Sequence, residues 1–152
     1  MKNKKECKKV AKLINKNKKI IFMGRSVDYY ICMESSLKLK EVNYIPSLCY
    51  QAGELKHGPI SLVDPDTLVF VVNTNKETIS KTLSNKKEVE TRNGNVYYVS
   101  ITDDADYKID DCDFTSTFST ITLFQLISYY TALSRKLDID KPRNLAKSVT
   151  VE

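Results

Sequence analysis

The stretch that decides the fold is TLVFVVN, residues 67–73. It is apolar or β-branched almost throughout, which is typical of a strand at the centre of a sheet. A second apolar run, IIFMG (20–24), ends in glycine and predicts another buried strand that leads into a loop. NVYYVSI (95–101) predicts a third strand, and DFTST (113–117) a weaker one.

Segments with helical character lie before, between and after these strands. The first, residues 4–17, is amphipathic, and the second, residues 28–42, repeats apolar residues at helical spacing. The third, residues 76–92, is polar and compatible with a helix, and the last, residues 119–136, is apolar on more than one side. Alternating helices and apolar strands predict an α/β domain whose parallel sheet is covered on both faces. Right-handed crossovers would then place functional loops at the carboxyl ends of the strands.

The charge of the chain is concentrated at one end. The 152 residues carry a formal net charge of +5, with 41% hydrophobic and 28% charged residues, a composition typical of one globular domain. Residues 1–19 hold nine lysines and one acid, Glu6, whereas the remaining 133 residues hold 15 basic and 18 acidic side chains. The body is therefore mildly acidic, and we expect no nucleic-acid partner. Nucleic-acid binding through the lysine-rich helix would need a complex that persists at about 200 mM salt, because purely electrostatic contacts weaken steeply there.

Several other classes of function have no support in the sequence. No apolar run approaches the roughly 20 residues that span a bilayer, so we expect no membrane association. Neither a GxxxxGK[ST] nor a GxGxxG phosphate loop is present. The cysteines, Cys7, Cys32, Cys49 and Cys112, have no metal-ligand spacing. We therefore expect reduced thiols in a cytoplasmic protein, without a metal ion.

His57 is the only histidine of the chain and lies in QAGELKHGPI (51–60). The Gly58-Pro59 pair that follows is a turn signal, which predicts a loop near the surface. An imidazole in such a loop is either a general acid or base, or a solvated or capping side chain. The residue type alone leaves both interpretations open.

Two further sets of charged residues have both a structural and a chemical interpretation. Glu34, Lys38 and Glu41 share one helical face, either as a solvated ion-pair ladder or as a carboxylate and ammonium arranged for proton transfer. Lys147 in the C-terminal NLAKSVTVE is either a solvated lysine or an amine that forms a Schiff base with a carbonyl substrate. Spacing alone does not choose between these interpretations.

Three segments together resemble a known family. ESSLKLKEVNYI (34–45), QAGELKHGPISLVD (51–64) and DIDKPRNLAKSVTVE (138–152) are similar to the C-terminal sugar isomerase (SIS) domain of glutamine–fructose-6-phosphate aminotransferases, the glucosamine-6-phosphate synthases. The resemblance implies a flavodoxin-like three-layer α/β/α sandwich around a parallel sheet of about five strands. It also implies a single SIS domain over 1–137, including the basic N-terminal helix, and an active-site tail over 138–152.

The resemblance implies an enzyme that converts fructose 6-phosphate and glutamine to glucosamine 6-phosphate and glutamate, without a cofactor. In this family a glutaminase domain releases the ammonia, and a first SIS domain carries the Ser/Thr loop that binds the phosphate. This chain has no counterpart of either domain. TSTFST (115–120) is rich in hydroxyls, but by its order it falls at the last strand and is not equated with that loop. We expect the chain to be a C-terminal part or a separately encoded piece, inactive alone.

The resemblance also implies a role for each matching residue. Lys147 corresponds to the lysine that forms a Schiff base with the open-chain sugar. Glu41 corresponds to the carboxylate that moves a proton between C1 and C2, and Lys38 to the lysine that assists it. His57 corresponds to the histidine that helps to open the ring, and it acts in the site of the neighbouring subunit. A homodimer is therefore implied.

Two positions in the tail, Asn144 and Ala146, correspond to residues that line the sugar site in this family. The loop after the first predicted strand, GRS (24–26), departs from the family, which commonly has GRG there. Its backbone should therefore be less permissive than one with glycine. The alternative function is a non-catalytic SIS module that binds a phosphosugar and regulates a partner.

Overall fold

The computed structural model describes residues 2–145 and contains one five-stranded sheet. Its strands are β1 (Lys19–Gly24), β2 (Ser47–Gln51), β3 (Thr67–Asn73), β4 (Asn95–Ser100) and β5 (Tyr107–Lys108). Its α-helices are α1 (Lys2–Lys16), α2 (Val27–Asn43), α3 (Ile79–Glu90) and α4 (Asp113–Ser134). All neighbouring strands are parallel, in the order β2-β1-β3-β4-β5, which is the flavodoxin-like order. The predicted α/β fold is confirmed.

The sheet lies between two layers because its apolar strands project side chains to both faces. β3 is central, and all seven of its residues are buried. Phe22 and Phe70 stack at 4.8 Å on the face that α1, α2 and α4 cover. Val69 and Val71 project to the other face, where they pack with Val89 of α3. The structure is therefore the expected three-layer sandwich.

The short strands differ from the sequence prediction at two places. β2 was not predicted, and it forms the edge of the sheet beside β1. The predicted strand over 113–117 is wrong, because these residues begin α4, and the last strand is β5. TSTFST (115–120) likewise lies in α4 rather than at a strand. Thr115 Oγ1 donates to the Cys112 carbonyl at 2.6 Å, a local bond that favours the start of a helix over a strand.

The path of the chain defines two ends of the sheet. α2 begins just after β1 and ends just before the parallel strand β2, so it runs from the carboxyl end of the sheet to its amino end. α4 likewise returns from β5, and the chain beyond it reaches the end of α2, where Arg143 N–H donates to Tyr44 Oη at 2.8 Å. Within residues 2–145, no helix is long and apolar enough to cross a membrane.

The loop between β1 and α2 has an unusual backbone at Ser26. This residue has φ 53° and ψ −129°, a conformation that glycine adopts far more readily than serine. Its side chain makes no capping hydrogen bond to α2. The departure from GRG in this loop therefore coincides with a strained residue.

Candidate functional site

Three charged residues of α2 form a connected ion-pair cluster, as their spacing predicts. Lys38 Nζ lies 2.7 Å from Glu41 Oε2 and 3.4 Å from Glu34 Oε1. The hydrogen bond to Glu41 is the largest cause that raises the pKa of Lys38, and it outweighs partial burial. Lys38 is therefore a cation at neutral pH, held against the Glu41 carboxylate. About 28% of the Glu41 side chain is exposed, so its carboxylate remains accessible.

Glu41 lines a cavity of about 420 Å³ at the amino end of the sheet. The other lining residues come from the end of α2, the turn into β2 and the C-terminal part of the chain: Lys40, Tyr44, Ile45, Pro46, Arg143, Asn144 and Leu145. Two of the predicted site residues, Glu41 and Asn144, are thus brought together from positions far apart in the sequence. The cavity lies at the amino ends of the strands, so the expectation of a site at their carboxyl ends is wrong for Glu41.

Contacts with Tyr44 hold the C-terminal part of the chain at this cavity. Tyr44 follows the last residue of α2, has a left-handed backbone (φ 56°), and its N–H bonds the Leu39 and Lys40 carbonyls. Its hydroxyl accepts from Arg143 N–H, and the Arg143 guanidinium lies 4.2 Å from the centre of its ring. A cation over an aromatic ring adds to the hydrogen bond. The Tyr44 side chain therefore positions the segment that precedes Ala146.

The end of α2 is itself fixed to α4 by buried hydrogen bonds. The Asn43 side-chain amide donates to Ser128 Oγ at 2.8 Å and to the Ser128 carbonyl at 3.1 Å. Ser128 Oγ in turn donates to the Lys38 carbonyl at 3.1 Å. Since these groups are buried, they resist displacement and hold the turn of α2 that bears Lys38 and Glu41.

His57 lies elsewhere in the chain. It ends a short 3₁₀ turn, Leu55–His57, in the loop after β2, and it is exposed to solvent. This loop leaves the carboxyl end of β2, whereas Glu41 lies near the amino end. Leu55 of this loop packs on the face of the sheet that α3 covers, whereas α2 packs on the other face. Within one chain, the sheet therefore lies between the loop that carries His57 and the helix that carries Glu41.

The remaining predicted residues, Lys147 and Ala146, lie outside the described residues. Tyr44, Arg143 and Asn43 were not predicted as parts of the site. Tyr44 had a signal in the sequence, since an aromatic residue before Pro46 at the end of a helix suggests a turn whose aromatic side chain packs against another segment of the chain. Arg143 and Asn43 had none, because their partners lie far away along the chain.

The carboxyl end of the sheet carries a separate polar cluster. The Asp28 carboxylate accepts from Thr74 N–H at 3.0 Å and from Thr74 Oγ1 at 2.6 Å. Burial raises the pKa of Asp28, and the bonds from Thr74 oppose that effect. Arg25 Nη2 donates to Asn85 Oδ1 at 2.7 Å. These contacts hold the loops that follow β1 and β3, and none of them reaches Glu41.

The five-stranded parallel sandwich is the fold of a sugar isomerase domain. The chain belongs to the SIS domain family, whose model matches residues 12–133. It is 42% identical over 154 residues to the glutamine–fructose-6-phosphate aminotransferase (isomerizing) of Clostridium tetani, an alignment that covers 95% of this chain. The chain spans about a quarter of the length of that relative, 25%.

Solved structures of related proteins have the same fold as this chain. The C-terminal domain of the glucosamine-fructose-6-phosphate aminotransferase from Francisella tularensis has a TM-score of 0.82 and 32% identity, covering 92% of this chain and 42% of that one. A glucosamine-6-phosphate deaminase from Thermotoga maritima has a TM-score of 0.77 and 25% identity, covering 97% and 46%. The resemblance to the aminotransferase is therefore confirmed by sequence and by fold.

Proposed function

We propose that this chain is the isomerase part of a glutamine–fructose-6-phosphate aminotransferase. In the complete enzyme it converts fructose 6-phosphate and ammonia from glutamine to glucosamine 6-phosphate. The observation that carries the proposal is the cavity in which Glu41, backed by Lys38, meets Asn144 of the C-terminal segment. The similarity to the aminotransferase of C. tetani over 95% of the chain supports the same reaction.

The proton transfer is assigned to Glu41. Lys147 forms a Schiff base with the C2 carbonyl of the open-chain sugar, and water leaves. Ammonia then adds to C2 and displaces the Lys147 amine, which leaves a C2 imine that makes the protons at C1 more acidic. The Glu41 carboxylate takes one C1 proton and returns a proton to C2, while the C1 hydroxyl gives up its own proton, so that C1 becomes the aldehyde and C2 keeps the amine. Lys38 stays charged and holds the Glu41 carboxylate oxygen at 2.7 Å, which fixes the position of the carboxylate.

His57 is assigned to a different subunit's site. It helps to open the sugar ring of the substrate bound by the neighbouring chain, which requires a homodimer. The packing of the two elements supports this arrangement, because the sheet lies between the loop of His57 and α2, which carries Glu41. Its exposure leaves the imidazole accessible to a partner.

Further domains complete the enzyme. Because the chain spans about a quarter of its relative, a glutaminase domain and a first SIS domain supply the ammonia and the phosphate site. Free thiols among the described cysteines suit a cytoplasmic enzyme. The isolated chain is therefore expected to form no glucosamine 6-phosphate from fructose 6-phosphate.

The test is a chimera in which this chain replaces the matching last quarter of the C. tetani enzyme. Glucosamine 6-phosphate and glutamate are measured separately. Glu41→Gln and Lys147→Ala should abolish amino sugar formation while glutamate release continues. Glu90→Gln, which breaks the exposed Lys86–Glu90 pair on α3, is the matched control and should remain active. Normal synthesis by the Glu41→Gln chimera would refute the assignment.

The Schiff base has its own test. Reduction of the chimera with cyanoborohydride in the presence of fructose 6-phosphate should attach the sugar to the peptide that contains Lys147. The Lys147→Ala chimera should remain unlabelled. Labelling of a different lysine in the wild-type chimera would contradict the role of Lys147.

The alternative, a non-catalytic phosphosugar-binding regulatory module, makes an opposite prediction. A regulatory module binds its ligand without the first SIS domain. Titration of the 152-residue chain with hexose phosphates should therefore give micromolar affinity if the alternative holds. The proposed enzyme part should bind far more weakly, because its phosphate site is supplied by another domain.

A further inference from the structure

Two cysteine side chains meet between α2 and the edge strand β2. Cys32 is fully buried in α2, and Cys49 of β2 is half-buried. Cys49 packs against the buried cluster that contains Cys32, and each thiol shifts the pKa of the other. Cys49 Sγ also lies 3.9 Å from the carbonyl oxygen of Tyr29, one helical turn before Cys32. The Cys49 sulfur thus faces the turn of α2 that carries the second thiol.

The two thiols differ in their tendency to ionise. Burial is the largest cause that raises the pKa of Cys32. The neighbouring Cys32 thiol is the largest cause that lowers the pKa of Cys49, and the charge of Lys40 lowers it further, against the effect of burial. Cys49 is therefore the better nucleophile, and Cys32 is the protonated thiol beside it.

Cys49 is also the accessible member of the pair. It lines a groove of about 630 Å³ on the outer side of α2, together with Tyr29, Lys40 and Ser47. This groove admits a molecule as small as a peroxide. Cys32 lies behind Cys49 and has no exposure of its own.

We propose that Cys32 and Cys49 are a thiol pair that hydrogen peroxide oxidises to a reversible disulfide. The Cys49 thiolate attacks a peroxide oxygen, an S–O bond forms, the O–O bond breaks, and the departing hydroxide is protonated to water. Cys32 then gives up its proton and attacks the resulting sulfenic sulfur. The S–S bond forms, the S–O bond breaks, and a second water leaves. The two sulfurs together lose two electrons, which the peroxide accepts.

The disulfide would connect α2 to β2 across the turn that separates them. The enclosed segment, 33–48, includes Lys38, Glu41 and Tyr44, so the bridge would constrain the part of the cavity wall that α2 and the turn into β2 form. A dithiol reductant would reverse it. The proposal concerns the chemistry of the thiols alone and stands whether or not the chain belongs to an aminotransferase.

The test uses the 152-residue chain, hydrogen peroxide and peptide mapping without reduction. The expected product is a cross-linked pair of peptides containing Cys32 and Cys49, lost on addition of dithiothreitol. Cys112 is the internal control, since it is exposed at the start of α4 and lies outside the pair. The proposal is overturned if Cys112 is oxidised before Cys49, or if Cys49 is oxidised without a cross-link.

Variants separate the two roles. With Cys32→Ala, oxidation should stop at Cys49 as a sulfenic acid that dimedone labels, whereas the wild type should resolve it and label only slightly. With Cys49→Ser, Cys32 should remain unreactive. Equal dimedone labelling of Cys49 in the wild type and in Cys32→Ala would refute the resolving role of Cys32. The wild-type mapping decides the matter even if a variant fails to fold.

Discussion

Replacement of Ser26 by glycine should stabilise the protein. Ser26 has φ 53° and ψ −129°, a backbone conformation in which a Cβ atom is strained. Such strain costs about 1–3 kcal/mol for a residue other than glycine. Its hydroxyl makes no capping bond, so little is lost with the side chain.

Part of this gain in folding free energy is offset by an effect of the substitution on the unfolded chain. Glycine there is more flexible than serine, which costs about 0.4–1 kcal/mol on folding. The net stabilisation should therefore be about 1 kcal/mol, which for a domain of this size raises the unfolding midpoint by about 2–4 °C. Circular dichroism during thermal and urea unfolding measures both quantities.

Two variants make the test specific. Ser26→Ala keeps the Cβ atom and should show no such gain. Ser84→Gly, at an exposed position in the middle of α3, should instead lose about 0.5 kcal/mol, because glycine is a poor helix former. The reasoning fails if Ser26→Gly lowers the midpoint as Ser84→Gly does, or if Ser26→Ala stabilises equally.

Three other changes should destabilise the fold. Tyr97→Phe removes the 2.9 Å bond to Glu6 and should cost about 1–2 kcal/mol by urea unfolding. Burial raises the pKa of Tyr97 well above its ordinary 10.0. Above pH 10 the unfolded chain loses this proton while the folded protein keeps it, so the greater stability of the wild type over Tyr97→Phe should shrink there. Asn43→Ala leaves Ser128 with fewer partners and should cost about 1–3 kcal/mol, with calorimetry as the measurement. Gly24→Ala would place a Cβ atom 2.6 Å from the backbone of α2 and should cost about 2 kcal/mol or more, or prevent purification of folded protein.

The sheet was predictable where its strands are uniformly apolar. β3 carries an unbroken run of β-branched and apolar residues because it is buried on both faces, and β1 and β4 follow the same rule. β2 escaped the prediction because it is an edge strand, and only its first residue, Ser47, is buried. Ser47 is polar and exchanges hydrogen bonds with Ser36, so no hydrophobic pattern marks it.

The start of α4 was mistaken for a strand because its residues are rich in hydroxyl groups and β-branched. In the structure these hydroxyls bond to nearby carbonyls of the chain. Ser116 Oγ donates to the Asp110 carbonyl at 2.8 Å, and Thr120 Oγ1 donates to the Ser116 carbonyl at 2.7 Å. Such local bonds depend on the backbone that they help to form, so composition alone does not predict them.

The candidate site was predictable only where it is local. The contact between Lys38 and Glu41 follows from a spacing of three residues on a helix. The contact between Tyr44 and Arg143 joins residues 99 positions apart, and the fold alone brings them together. The sequence could therefore indicate the contact between Lys38 and Glu41, but it held no information on what holds the C-terminal segment beside them.

The placement of Glu41 and His57 on elements that pack on opposite faces of the sheet has a genetic consequence. In the proposed homodimer, each site takes its carboxylate from one chain and its imidazole from the other. An allele with Glu41→Gln and an allele with His57→Ala would each be inactive alone. A mixed dimer would contain one site that lacks both groups and one that lacks neither. Co-expression of the two defective alleles should therefore restore growth to a strain that needs the enzyme.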